Sequence, residues 1–289
     1  MVLDIRTLSL TSSIISIALA AVMMHIHTTH KTYHGFNYWV VAAISMILGL
    51  FLMSMRGFIP DLFTIVLANL LMLAHYALVM HGLIIFLNRQ SKIWVYVIMT
   101  LLYLVMILFF TYVSPNISVR IVVVTILSMI FYPISLIHIQ KYSKDIRIDP
   151  NFLLIVTFII LILYSLFRII YTLFYEDHIS DFMVASAIQG IMFLVIIFTN
   201  ITMFIGLIML NQQAIERDYL EGEAEIQSLR GVIPICMHCK EIRDDDGYWQ
   251  QLEQYISDHA DVQFSHGICD KCLEKYYSGI YPTISDEDE

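Results

Sequence analysis

Of the chain's 289 residues 58% are hydrophobic and only 14% charged, and the mean hydropathy is +0.74. Soluble domains carry about 25% charged residues, so the composition excludes a soluble globular protein. The formal charge of −9 gathers mostly beyond Asn211, and no basic patch stands out that would hold a nucleic acid.

The opening stretch, MVLDIRTLSLTSSIISIALA, has Asp4 and Arg6 where a signal peptide has a basic region, and it runs directly into further apolar sequence. It reads as a retained first helix. From there to Leu210 the chain is a series of apolar runs of about twenty residues, the length a helix needs to cross a hydrocarbon layer of about 30 Å. Seven spans are predicted, at 7–26, 38–56, 62–87, 93–113, 118–139, 151–175 and 183–210. Turn or charge chemistry separates them: Arg56-Gly57 with Pro60-Asp61, Asn88 to Lys92, Ser114-Pro115-Asn116, Lys141 to Pro150, and Glu176-Asp177-His178.

Basic residues set the expected orientation. Loops after the first, third and fifth spans carry Lys31, Arg89, Lys92, Lys141, Lys144 and Arg147, whereas the opposite side carries Arg6, Arg56 and Arg120. The positive-inside rule puts the N-terminus outside and everything after Asn211 in the cytoplasm.

Beyond the seventh span, LNQQAIERDYLEGEAEIQSLRG continues with helical spacing. Ile208, Ile215 and Leu229 share one heptad position, with Ile226 at a partner position, while Asn211 and Gly222 interrupt the seam. The segment is either a solvated charged linker or a signalling helix that pairs in a homodimer. Next, GYWQQLEQYISDH spaces Trp249, Leu252 and Ile256 as a short amphipathic helix. Asp270 is placed to cap a second helix that stops at Gly279.

All four cysteines lie in this tail, as Cys236-Met-His-Cys239 and Cys269-Asp-Lys-Cys272. Two Cys-x-x-Cys knuckles about thirty residues apart suit one tetrahedral metal ion, each presenting two thiolates. One structural zinc ion is the expected occupant in a reducing cytoplasm. His238 and His266 stand beside the knuckles as alternative ligands. A closed four-thiolate shell leaves no open position for a substrate. A dithiol redox pair is the competing reading.

The expected fold class is therefore an all-α polytopic membrane protein of seven transmembrane helices with a small cytoplasmic zinc-knuckle α+β domain. Its parts are a membrane domain (1–210), a helical linker (211–230), a zinc-binding module (231–281) and an acidic tail (282–289).

The tail resembles a small cysteine-rich module at the C-terminus of bacterial sensory proteins. The pattern stands here as Pro234-Ile235-Cys236, Cys239-Lys240, Ile242-Arg243-Asp244, Gly247-Tyr248-Trp249, Glu253, Tyr255-Ile256, Phe264 to Cys269, and Cys272, with Asp270 where a proline is usual. The membrane region is similar to a multi-span sensor region that precedes diguanylate cyclase or histidine kinase domains in bacteria. It carries that likeness on Asp4 to Leu8, Gly35 with Trp39, Arg56 to Leu71, His81-Gly82-Leu83 and Phe86. No cyclase, kinase or receiver motif follows. The resemblance implies a bacterial inner-membrane receptor that signals to a cytoplasmic partner protein, and it implies no enzymatic activity. A small permease with a regulatory tail is the alternative; internal repeats and paired broken spans, which transporters carry, are not seen in the sequence.

Polar side chains within spans are costly in hydrocarbon and mark candidate sites. Asn69, His75, His81, Arg168, Gln189 and Asn200 qualify. His25, His27, His30 and His34 cluster in and before the first loop, a composition that suits a transition metal or a proton sensor.

Overall fold

The computed structural model describes residues 4–146, 148, 152–175, 187–230, 233–244 and 246–277. The chain divides into two compact units, one ending at Glu221 and the other beginning at Gly222.

Seven helices among the described residues are long and apolar enough to cross a membrane, the last of them running from the first unit past Glu221. They are α1 (Ile5–Thr29), α2 (Phe36–Ser54), α3 (Leu62–Phe86), α4 (Ile93–Val113), α5 (Ile117–Tyr142), α6 (Phe152–Tyr175) and α7 (Ala187–Arg230). All seven predicted spans are present, with ends shifted by a few residues except that the last helix runs on well past 210. The expected start of the last span at 183, the breaks at Pro150 and Glu176, the stop at Gly279 and the tail 282–289 lie outside the described residues.

Local sequence explains the irregularities. Asp4 caps α1, accepting from the backbone N–H of Arg6 at 3.3 Å and of Thr7 at 3.1 Å. The Thr7 hydroxyl, donating at 2.6 Å, is the main reason that carboxyl lies below its ordinary range. Helix α3 opens with π-helical turns over Leu62–Leu67, immediately after Pro60. There the Asn69 side-chain amide donates to the Ile65 carbonyl at 2.7 Å. Helix α5 breaks at Ile130, between Ile117–Met129 and Phe131–Tyr142. Pro133 is the cause: it has no N–H for the Met129 carbonyl and its ring crowds that turn.

The largest apolar core runs through the end of the bundle near the first loop, around Trp39, Phe36, Leu83, Phe86, Phe158 and Phe204. Residues quoted for the membrane resemblance form two packing knots. In the first, a Cβ on Gly82 would lie 2.6 Å from Trp39 Nε1 and 2.8 Å from the Gly35 carbonyl oxygen, so α2 and α3 meet only because both positions are glycine. Trp39 Nε1 donates to the Val79 carbonyl at 3.2 Å, with the Phe86 ring 5.4 Å away. In the second, Arg6 Nη2 donates to the Arg56 carbonyl at 2.9 Å and its guanidinium sits 4.5 Å from the Phe58 ring centroid.

Helix α7 carries the seventh span and the helical segment that follows it in one run, unbroken to Arg230. The first loop grips it. Tyr33 N–H donates to Asn211 Oδ1 at 3.1 Å, and the Tyr33 hydroxyl donates to the Asp218 carboxylate. Arg217 Nη2 in turn donates to the Tyr33 oxygen at 3.1 Å. Asn211, which interrupts the expected seam, is in the fold the partner of that loop.

The second unit holds a two-stranded antiparallel hairpin, β1 (Ile242–Arg243) with β2 (Trp249–Gln250), then α8 (Leu252–His259) and α9 (Asp270–Tyr277). Trp249 lies on β2 rather than on the predicted amphipathic helix, because Asp244 and Gly247 close a turn there.

Candidate functional site

The first candidate site is a cavity of about 170 Å³ inside the helix bundle, to which all seven helices contribute. Of the six polar residues expected from the sequence, the structure brings Asn69, Arg168 and Gln189 together on its wall. The other three do different work. His75 is fully buried, donates to the Ala42 carbonyl at 3.0 Å and packs on Phe204 with ring centroids 5.6 Å apart. His81 bonds Ser91 Oγ at 2.9 Å between the rings of Tyr38 and Tyr96. Asn200 reaches Ser16 of α1 at 3.4 Å. These are helix-to-helix links.

Sequence reasoning missed two residues of the cavity that matter for its charge. Arg56 follows α2 and Arg120 lies in the first turn of α5, and in the sequence both read only as loop charges. Together with Arg168 near the end of α6 they put three arginines among the residues that line the cavity. Arg120 is 9% exposed and Arg168 6%, so neither snorkels freely to water. The Arg120 Nη1 donates to Thr111 Oγ1 at 3.3 Å, and the Arg168 Nη1 to Met192 Sδ at 2.8 Å. Among the described residues no aspartate or glutamate lines the cavity, although Asp61 lies within electrostatic range of Arg120. The missed signal is positional: one arginine four residues into α5 and the other in the short connection between α2 and α3.

The histidines at 25, 27, 30 and 34 do not converge. His27 Nδ1 bonds Thr32 Oγ1 at 3.0 Å and its ring stacks on Phe36, while His25 and His30 lie 6.4 Å apart edge to face.

The second candidate site is the cysteine pair of pairs. At the first knuckle, Cys236 N–H donates to the Glu241 carbonyl at 2.7 Å and Lys240 N–H to the Cys236 carbonyl at 3.0 Å, with Lys240 at φ 64°. This turn points backbone N–H groups of Cys239 and His238 at the Cys236 sulfur, which holds that thiol below its ordinary range. At Cys239 the Glu241 N–H works the same way. The neighbouring Cys236 sulfur and the Glu241 carboxylate, 3.4 Å away, outweigh it and push this thiol up. The second knuckle starts α9. Cys269, not Asp270, holds the cap position: its carbonyl accepts from Cys272 and Leu273 N–H, both at 2.9 Å. The Cys272 N–H, followed by the Cys272 thiol, lowers the Cys269 thiol.

The thiols are therefore brought together in twos. Among the described residues no three or more His, Cys, Asp or Glu side chains gather as one metal-holding group, His238 and His266 included. All four cysteines are free, and three of them are exposed. Each knuckle nevertheless has what a thiolate ligand to zinc needs, a tight turn with N–H groups aimed at sulfur. Within this unit Ile242 is the one buried apolar side chain among the described residues, while Trp249 is 50% and Phe264 42% exposed. So small a core gives little folding energy of its own. Compared with family models, curated proteins and solved structures, the chain matches none of them.

Proposed function

We propose that the chain is a signal-transducing membrane receptor of the bacterial inner membrane. A stimulus received in the seven-helix bundle passes along α7 to a cytoplasmic module that holds one structural zinc on Cys236, Cys239, Cys269 and Cys272 and contacts a partner protein. The observation that carries this reading is the continuity of α7. One helix lines the cavity through Gln189, Met192 and Phe193, is gripped by the first loop at Asn211 and Asp218, and runs on to Arg230. A change in cavity packing is then mechanically linked to the residues beyond the bundle. The basic loops support placing the module in the cytoplasm: Arg89 pairs with Asp145 and lies 4.2 Å over the Tyr142 ring, so the third and fifth connections share one side.

Zinc would crosslink the two knuckles and supply the folding energy that one buried isoleucine does not. The paired, exposed thiols favour a second reading, a dithiol redox switch. Elemental analysis of the full-length chain in detergent separates the two. One zinc per chain, lost in Cys236→Ser along with protease resistance of the module, supports the receptor with a zinc adaptor. Absence of metal, with reversible disulfides within each Cys-x-x-C pair, would replace it with the redox switch.

A further inference from the structure

Two hydroxyls on residues that line the bundle cavity are out of keeping with the rest of the spans. Helical threonines and serines can pass the hydroxyl proton to the carbonyl one turn back. Thr111, Thr125, Thr157 and Thr199 do so at 2.5–2.9 Å, and Ser128 and Ser165 do the same toward Val124 and Leu161. Thr64 lies instead in the π-helical opening of α3. There the carbonyl four residues back, that of Pro60, already accepts from the N–H groups of Phe63 at 3.0 Å and Thr64 at 3.3 Å. The Thr64 hydroxyl is left without a partner. Helical turns of this kind are frequent at functional sites. On α4 the Tyr103 hydroxyl also has no partner, within a cluster that includes Ile65, Ile107 and Leu127. Both residues are 1% exposed, and both line the cavity. An unmet buried hydroxyl carries a desolvation cost, so two of them on one cavity call for a guest that hydrogen-bonds. What is unmet here is neutral, and bringing an unpaired charge into a bundle costs far more than bringing a hydroxyl. Met46, Leu50, Leu73 and Phe193 give the same cavity an apolar wall. A dry apolar cavity of about 150 Å³ admits benzene, so about 170 Å³ suits one aromatic ring with a small polar group.

We infer that this cavity binds a small neutral aromatic alcohol, the size of phenol. The ring fills the apolar side, and the ligand hydroxyl bonds to Thr64 and Tyr103, whose own hydroxyls both donate and accept. This names the class of stimulus for the receptor reading above and rests on that reading for its signalling meaning alone.

The experiment titrates the full-length chain, in nanodiscs of zwitterionic lipid, with para-fluorophenol followed by fluorine NMR; empty nanodiscs give the lipid background. Saturable binding of one molecule per chain is expected, about 5-fold or more tighter than fluorobenzene, which lacks the hydroxyl. The charged para-fluorobenzoate is expected to bind more weakly than the phenol. Tyr103→Phe and Thr64→Val each remove a hydroxyl that has no protein partner. Ligand-free thermal stability therefore holds or rises in both, while fluorophenol affinity falls about 3- to 10-fold and fluorobenzene affinity does not. Uptake no greater than the lipid background would leave the cavity to water and overturn the inference. Fluorobenzene or fluorobenzoate binding as tightly as the phenol, or unchanged fluorophenol affinity in both variants, would overturn it as well. Protease protection of residues 211–226 separates this from the receptor reading. Fluorophenol binding that leaves that segment unchanged keeps the ligand and removes the receptor. A segment that responds to another solute, in a chain that ignores fluorophenol, does the reverse.

Discussion

Tyr33 shows how much one side chain in a short loop can decide. Its hydroxyl is the hub between Asp218, Arg217 and the loop, and it functions only while protonated. Burial first, and then the Asp218 carboxylate, push it up to about 12. The neutral form is thus favoured in the folded protein. The stabilisation is fully present below the ordinary tyrosine range near pH 10, and it is lost as pH rises through about 12. Protection of the amides at 30–36, taken relative to the intrinsic exchange rate at each pH, is expected to fall across that window in the wild type. In Tyr33→Phe the same protection should be low already at neutral pH and constant with pH; equal protection in both proteins would remove the clamp. The glycine pair makes a sterner demand. Gly82→Ala forces a methyl against Trp39 Nε1 and the Gly35 carbonyl, neither of which can yield without moving a helix. Overpacking of this kind costs about 1–3 kcal/mol. A clear drop in thermal midpoint in detergent is expected, and an unchanged midpoint would show that α2 and α3 can separate there.

At the scale of elements, the hairpin and knuckles behave differently from the membrane helices. Each knuckle is held by two or three backbone hydrogen bonds, and β1–β2 by a two-residue register, Ile242 with Gln250 and Arg243 with Trp249. Such short elements do not stand by themselves. If zinc supplies the missing crosslink, a chelator added to the full-length protein should open 233–277 to protease and leave α1 to α6 intact. Simultaneous loss of both regions would argue against separate units. Helix α5 offers the converse lesson. The break at Ile130 follows from Pro133 alone, and it sets Tyr132, the residue before that proline, on the cavity wall beside Ser128. Pro133→Ala, by restoring the missing N–H, is expected to slow amide exchange at 130–134. Unchanged exchange there would mean that tertiary packing, not the proline, imposes the break.

For the whole molecule, orientation is the property on which the receptor reading depends. An odd number of spans would put the two ends of the bundle on opposite sides, and in the proposed reading the basic loops choose which. A cysteine introduced as Ser114→Cys is expected to react with a membrane-impermeant maleimide on intact cells. One introduced as Gln90→Cys should react only after lysis. The reverse pattern would place the cysteine module outside, where thiols oxidise to disulfides, and the zinc proposal would fall with it.

The sequence by itself determined the seven helices, and most of their limits to within a few residues, because a run of twenty apolar residues has the helix as its stable solution in hydrocarbon. It also singled out both Cys-x-x-Cys turns, since the spacing within a tight turn is local. Only the tertiary structure decided what faces what. Asn69, Arg168 and Gln189 converge with Arg56 and Arg120 on one cavity, while His75, His81 and Asn200 link helices. Asn211 is the clearest case: in a heptad it looks like an interruption, and in the fold it receives the backbone N–H of Tyr33, 178 residues away. Periodicity says which residues lie on one face of a helix. Which neighbour that face meets depends on helix packing, and in a bundle apolar nearly all round no single stripe marks the interior.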